Sequence, residues 1–235
     1  MKRAGRLMSL IAQQENLREA FLLAVRGKQL KRECIHFREH LDEQLLQLGT
    51  ELADGSYRTG EYRRFRVFDP KERIICAAPF RDRVAQHAMM RVCHPLFERF
   101  QTSVSFASRP GRGTYKAIEQ ARHYCRCYRW WLKLDMQKYF DSISHDCLRQ
   151  QLVRMVKDPL LIEYWNMLID GYENTPGRGL PIGNLTSQYW ANHYLAVSDH
   201  QAKELIGISV MVPKNLKSSE ILHKIFLTEI CARFL

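Results

Sequence analysis

The chain has 235 residues and a formal net charge of +11, from 36 Lys and Arg against 25 Asp and Glu. This length suits one or two domains with a buried core. Although 46% of the residues are hydrophobic, no uninterrupted apolar run reaches the roughly 18 residues that a membrane span needs. The basic start meets Gln and Glu before any long apolar stretch, which argues against a signal peptide. Seven cysteines at irregular positions argue against a disulfide framework, so we expect a cytoplasmic protein that does not enter a membrane.

Basic and aromatic residues are interleaved between Arg58 and Arg91. Arginine dominates the basic set there, with Arg63, Arg64 and Arg66 close together in the sequence. A charged surface that only promotes solubility is the simplest explanation. Guanidinium groups, however, suit bidentate contacts with phosphate, so the clustering also indicates nucleic-acid binding.

The first half of the chain predicts helices, a hairpin and a further helix. Apolar residues recur at helical spacing across residues 6–54, and "ADGSY" then forms a turn. Residues 57–79 alternate around an Asp-Pro turn, which predicts a β-hairpin near residues 62–78. "FRDRVAQHAMMRVCHPLFERF" predicts a helix that ends near Pro95.

The second half alternates loops with helices. "SRPGRGTYKAI" predicts a glycine loop that leads into a helix, with Thr114 as its N-cap. "RWWLKLDMQKYF" contains a short apolar strand that ends on an acid, and two helices should follow, divided at Asp158-Pro159. "GRGLPIGNLTSQYWANHYL" is a polar loop with no charge after Arg178, and it enters an aromatic helix. A terminal apolar helix should start near Ser218.

Two segments carry residues suited to chemistry. Asp135 falls where the apolar strand ends; it either caps the next turn or binds Mg²⁺, which prefers carboxylate oxygens. The loop "RPGRG" is either an ordinary turn or a phosphate site formed by backbone amides with Arg109 and Arg112. The spacings around "HYCRC" fit no structural zinc pattern, and no G-x-S-x-G elbow supports a serine hydrolase.

Taken in order, four motifs resemble those of reverse transcriptases. "DPKERIICAAPFRDRVAQHAM" resembles the fingers motif, "SRPGRGTYKAI" the template-side loop, "KLDMQKYFDSI" the first palm motif, and "GLPIGNLTSQYWANHYL" the loop and helix under the nascent base pair. The likeness is greatest to the bacterial diversity-generating retroelement branch, with group II intron enzymes next. It implies an α+β fold: a right-hand polymerase with N-terminal helices (1–56), fingers (57–128), an incomplete palm (129–207) and a divergent tail helix (208–235).

The resemblance also implies roles for residues around the polymerase reaction. Asp135 would bind both catalytic Mg²⁺ ions, with the backbone carbonyl of Met136 as a further ligand. Lys71 and Arg73 would hold the incoming triphosphate. Phe140 would close the sugar pocket against a 2′-hydroxyl and so favour deoxynucleotides.

The uncharged loop would approach the stacked bases without reading their sequence. Ile182 and Gly183 would line the floor of the nucleotide site, while Ser187 and Gln188 would start the palm helix beneath the template. Ile182 stands where the retroviral and intron relatives commonly have glutamine. It either constrains the base pair by shape alone or merely packs the loop against the palm helix.

The implied function is RNA-templated DNA synthesis by two-metal nucleotidyl transfer, error-prone and chiefly so opposite adenine. Its partners would be template RNA, a primer or cDNA, deoxynucleoside triphosphates and a basic accessory protein. The family's Tyr-x-Asp-Asp motif and basic thumb do not follow residue 208, and no adjacent Asp-Asp pair occurs. We therefore expect a frame change or an inherited short form. The alternative function is a remnant that only binds nucleic acid or an accessory protein.

Overall fold

The computed structural model describes residues 2–68, 72–129 and 136–206, and of residues 202–206 it describes the backbone alone. Within these ranges the chain is α+β, as predicted, with mainly helical structure and a two-stranded sheet. The helices are α1 (Leu7–Ile11), α2 (Gln14–Ala24), α3 (Arg32–Glu39), α4 (Leu41–Asp54), α5 (Phe80–Phe100), α6 (Thr114–Cys127), α7 (Tyr139–Ser142), α8 (His145–Met155), α9 (Pro159–Asp170) and α10 (Leu185–Ile206). The strands are β1 (Arg63–Phe68) and β2 (Glu72–Ala77).

The described residues form two compact units, each assembled from separate stretches of the chain. The first unit comprises those within Met1–Leu96 and Phe140–Gln188, and the second those within Phe97–Tyr139 and Tyr189–Leu235. Helices α5 and α10 each contribute residues to both units. Of the helices described, none is both long enough and apolar enough to cross a membrane.

The helical prediction for residues 6–54 is confirmed, with the segment divided into α1 to α4. Leu17, Leu45, Leu48 and Leu52 are buried at one-percent exposure or less, at the spacing that brings them to the inner faces of α2 and α4. Burying one such leucine contributes about 1.5–3 kcal/mol. The apolar stripe therefore supplies much of the stability that these short helices would lack in isolation.

Asp158 explains why the chain breaks between α8 and α9. Its Oδ1 accepts a hydrogen bond from the amide of Leu161 at 3.4 Å and so caps α9, in which Pro159 is the first residue. Its Oδ2 accepts from the amides of Leu7 and Met8 at 2.8 and 3.0 Å, at the start of α1. One buried carboxylate thus caps two helices that are 150 residues apart in the sequence.

The hairpin is confirmed where the alternating pattern predicted it. Strands β1 and β2 are antiparallel, with Arg64 opposite Cys76, Phe65 opposite Ile75 and Phe68 opposite Glu72. All of β1 is exposed, whereas Cys76 of β2 is fully buried. The base of the hairpin therefore belongs to the core, and its outer part carries its basic side chains in solvent.

Two predicted boundaries were wrong. Helix α5 does not end near Pro95 but passes through it to Phe100. A proline costs the helix one hydrogen bond, but the next two residues, Leu96 and Phe97, are 8% and 2% exposed, and their burial favours continuation. Thr114 is not the N-cap of α6 but its first residue; the cap is Gly113, whose φ of +104° suits glycine.

Several predicted features lie outside the described residues. They are the Asp-Pro turn of the hairpin, the strand that ends at Asp135 together with its expected open edge, and the terminal helix from Ser218.

Candidate nucleotide and template site

In the first unit, strand β2 is joined to the polar loop of residues 177–184. The amide of Cys76 donates a hydrogen bond to the carbonyl of Ile182 at 2.8 Å. Cys76 lies opposite Arg64 across the hairpin, and its N–H points to the loop instead. The loop therefore covers the edge of β2 that β1 leaves unpaired, and it fixes Ile182 beside the strand that carries Arg73.

Gly183 allows this close approach. Its φ is +121°, and a Cβ atom built on it would lie 2.9 Å from the carbonyl oxygen of Cys76 and 3.0 Å from Cγ2 of Ile75. Both the backbone conformation and the space at this position therefore require glycine. The residue itself is exposed, so the backbone of the loop faces solvent on its other side.

The other end of the loop pairs with the segment that begins at Phe140. The amide of Leu180 donates to the carbonyl of Phe140, and that of Gly179 to the carbonyl of Ile143, both at 2.9 Å. The amide of His145 in turn donates to the carbonyl of Gly177 at 2.9 Å. Phe140, which is half-buried, thus has a fixed backbone register relative to the loop.

His145 is a site-supporting residue that the sequence analysis missed. Its side chain is 1% exposed, and Nε2 lies 2.7 Å from the carbonyl oxygen of Gly179, to which it donates in the tautomer with a proton on Nε2. The bond ties the N-terminus of α8 to the loop. A single histidine at a helix start carries no periodic signal, so only the three-dimensional structure reveals this partner.

Tyr62 anchors the base of the hairpin to the start of α10. Asn184 Nδ2 donates to the Tyr62 hydroxyl at 2.8 Å, and Asn184 is 2% exposed. Burial raises the pKa of Tyr62 to about 12, so this phenol stays protonated at neutral pH. The hairpin therefore contacts the loop segment at two points, through Tyr62 and through Cys76.

Ser187 and Gln188 face different environments although they are adjacent in α10. Ser187 is fully buried, and within the described part of the chain its hydroxyl has no hydrogen-bond partner. Gln188 is exposed. Of the two residues predicted to lie beneath the template, Gln188 is the one whose side chain reaches solvent.

The residues predicted around the triphosphate and the metal are described only in part. Arg73 lies on β2 opposite Val67 and is exposed. Lys71 and Asp135 lie outside the described residues. Met136 is 50% exposed and belongs to the second unit.

In the second unit, Arg109 holds its own loop together. Its Nε lies 2.9 and 3.1 Å from the two carboxylate oxygens of Glu98, and Nη1 donates to the carbonyls of Thr102 and Ser105 at 2.7 Å. Only 7% of the side chain is exposed. A phosphate contact by Arg109 would require these bonds to break.

Arg112, by contrast, is exposed on the same loop. Its guanidinium carbon lies 5.7 Å from the centroid of the Phe106 ring, a geometry that leaves its N–H donors able to bind other groups. Arg112 is therefore the better placed of the two predicted arginines for contact with nucleic acid.

Comparisons with known proteins agree with the motifs. The chain is 26% identical over 173 residues to a putative COX1/OXI3 intron 1 protein of Saccharomyces cerevisiae, covering 70% of this chain and 21% of that protein. It is 26% identical over 163 residues to the group II intron-encoded protein LtrA of Lactococcus lactis, covering 66% and 27%. Its fold matches a solved partial Cas6-RT-Cas1–Cas2 complex with a TM-score of 0.52 and 22% identity, covering 87% of this chain and 36% of the matched chain. No family model matches.

The α+β fold is thus shared with a chain of that solved complex. These intron-encoded relatives agree with the resemblance to reverse transcriptases that the four motifs indicated. The chain spans about a fifth to a quarter of the length of the two intron proteins described above.

Proposed function

We propose that this chain forms the nucleotide- and template-binding part of an enzyme that copies RNA into DNA. The observation that carries the proposal is the hydrogen-bonded path from Cys76 through Ile182 and Leu180 to Phe140. It joins the hairpin, the loop and the predicted sugar gate within one compact unit. Nucleotidyl transfer depends mainly on positioning and charge neutralisation, so such a framework suits the reaction.

Each part of this framework has a role in the proposal. Lys71 and Arg73 neutralise the triphosphate of the incoming nucleotide. The backbone of Ile182 and Gly183 forms the floor under the nascent base pair. Phe140 rejects ribonucleotides by steric exclusion of the 2′-hydroxyl.

Template contacts are assigned to the exposed side chains. Gln188 at the start of α10 and Arg112 in the glycine loop both reach solvent. Arg109 and Ser187 would act indirectly, by holding the loop and the helix start in shape. Such contacts to backbone phosphates and sugars bind nucleic acid of any sequence.

Members of this family use a divalent metal, and we propose Mg²⁺ for this chain. Asp135 and the carbonyl of Met136 offer hard oxygen ligands of the kind that Mg²⁺ prefers. These two ligands are fewer than two metal ions need. Within the described residues, the three-residue cluster of possible metal ligands does not include a neighbour of Met136. When bound, the ions would neutralise charge on the reacting phosphate.

The kind of retroelement is a finer proposal. The resemblance of the motifs favours a diversity-generating element with an RNA template, a cDNA product and a basic accessory protein, whereas the relatives named above are intron-encoded. Ile182 supports error-prone copying, because an apolar side chain constrains the base pair only by shape. A glutamine at this position could add a hydrogen bond worth about 1 kcal/mol.

A second candidate function is nucleic-acid or accessory-protein binding without synthesis. The absence of an adjacent Asp-Asp pair from the 235 residues favours it, since a polymerase needs paired carboxylates for two metals. Primer extension on an RNA template with Mg²⁺ and all four deoxynucleotides separates the two functions. DNA synthesis that is lost in Asp135→Asn supports the first. Salt-dependent binding of the primer–template without extension supports the second, and no binding contradicts both.

A further inference from the structure

The corner between helices α3 and α4 carries two histidines and a glutamate that no part of the proposed polymerase reaction uses. His36 lies in the last turn of α3, Glu39 is the final residue of that helix, and His40 connects it to α4. All three side chains are exposed. Their possible ligand atoms, one from each residue, lie within 4.8 Å of one another, and among the described residues this group of three is the one with that property.

The spacing explains why the three groups meet. Residues three and four apart lie on the same face of a helix, so Glu39 and His40 both approach His36. The imidazole rings of His36 and His40 have centroids 5.2 Å apart. Because the side chains are exposed, small rotations about their χ angles can shorten the ligand separations to those around a single ion.

A second observation concerns the ring of His40. Its Nδ1 lies 3.3 Å from the carbonyl oxygen of His36. In the tautomer that donates this hydrogen bond, the lone pair on Nε2 is free to bind a metal. Histidines that bind metals usually donate their other ring N–H in this way, commonly to a backbone carbonyl, because the bond fixes the tautomer and the ring orientation.

We propose that His36, Glu39 and His40 form a surface site for zinc or a similar divalent transition metal. Two imidazole nitrogens and one carboxylate oxygen form a ligand set that suits Zn²⁺ and leaves a fourth position open for water or another donor. Mg²⁺ prefers oxygen ligands, so this site is chemically distinct from the one assigned to Asp135. The bound ion would fix the end of α3 to the start of α4.

The local charges are mixed. Arg38 lies within the same helix turn and opposes a cation, whereas Glu43 follows in the first turn of α4 and favours one. Asp42 is already paired with Arg18 and so contributes less. The binding energy must therefore come from the three ligands themselves, which makes their replacement a direct test.

The experiment is a calorimetric titration of the tag-free chain with zinc chloride, in excess Mg²⁺. We expect one zinc ion to bind per chain. The His36→Ala/His40→Ala variant should bind it about tenfold or more weakly, and Glu39→Gln should bind with an intermediate affinity. The matched control is His123→Ala/Cys127→Ser, which removes another exposed pair, with Sγ and Nε2 3.7 Å apart, and should bind zinc as the unchanged chain does.

Thermal melting provides a second readout, because an ion that binds only the folded state raises the melting temperature. Zinc should raise it for the unchanged chain and the control but not for the double-histidine variant, whose circular dichroism should match the unchanged chain. Absence of zinc binding, binding that survives the double-histidine change, or binding lost only in the control would each overturn the proposal. In the last two cases the ion is adventitious only.

Discussion

Two glycine-containing loops of this chain have similar compositions but are stabilised in different ways. The loop of residues 177–184 is held at both ends by backbone hydrogen bonds, to Cys76 and to Phe140. In the loop of residues 109–113, the bonds of the Arg109 side chain to Glu98 and to two carbonyls predominate. Gly183 is tightly packed, whereas a Cβ on Gly111 would meet nothing within 4 Å. A glycine-rich motif therefore does not by itself show which of its residues contact a substrate and which support the loop.

The largest expected effect tests the support of the second loop. Arg109→Ala should lower the free energy of unfolding by about 3 kcal/mol, because it removes the ion pair with Glu98 and one hydrogen-bond donor from each of two carbonyls. Arg112→Ala, on the same loop but exposed, should change it by less than about 0.5 kcal/mol. Chemical denaturation of both variants measures the difference. Equal stabilities would show that Arg109 does not hold the loop.

The next effect compares two glycines. Gly183→Ala should lower the free energy of unfolding by about 2–3 kcal/mol. The new side chain would be forced into a left-handed backbone conformation, and its Cβ would lie only 2.9 Å from the carbonyl oxygen of Cys76. Gly111→Ala should lower the free energy of unfolding by about 1 kcal/mol, because it adds only the strain of a left-handed backbone. Urea denaturation checks both values. If Gly183→Ala were as mild as Gly111→Ala, the close packing of loop and hairpin would be refuted.

The fold was more predictable than the contacts of the site. The hairpin was predictable because alternation around an Asp-Pro turn is a local sequence signal. The break between α8 and α9 was predictable for the same reason, since Asp158 is followed directly by Pro159. The role of Arg109 inside its own loop was missed, because it depends on Glu98, eleven residues earlier in the sequence. The charge of the arginine by itself suggested a contact with phosphate. The role of Pro95 was misjudged because burial of the residues after it outweighs one lost hydrogen bond.

The triphosphate-contact residues and the loop of residues 109–113 can be compared through nucleic-acid binding. Replacing both Lys71 and Arg73 with alanine should weaken binding to a primer–template of any sequence. It should also reduce the slope of log affinity against log salt concentration by about 1 for each lost phosphate contact. Arg112→Ala should likewise weaken binding and reduce this slope by about 1. Fluorescence anisotropy titrations at about 50 to 200 mM salt, which brackets physiological ionic strength, measure the affinity and the salt slope of each variant. Salt-independent binding would remove the phosphate-contact assignment.

The smallest expected effect concerns fidelity at Ile182. Ile182→Gln should reduce misincorporation opposite adenine several-fold relative to other bases, about the effect of one hydrogen bond. The test needs an active polymerase, so the change is made in a chain completed with a Tyr-x-Asp-Asp hairpin and a thumb. Sequencing of the cDNA products measures the error spectrum. An unchanged spectrum would leave Ile182 as a packing residue.

The central claim is that the hairpin, the loop and Phe140 form one nucleotide site that selects deoxynucleotides. The most direct measurement is equilibrium binding of a deoxynucleoside and the matching ribonucleoside triphosphate to the primer–template complex with Mg²⁺, because it does not require synthesis. The chain should prefer the deoxynucleotide, and Phe140→Val should abolish the preference while its carbonyl still accepts from Leu180. The exposed aromatic change Tyr115→Val serves as the control and should keep the preference. Equal binding of both nucleotides by the unchanged chain, or a preference that survives Phe140→Val, would contradict the account.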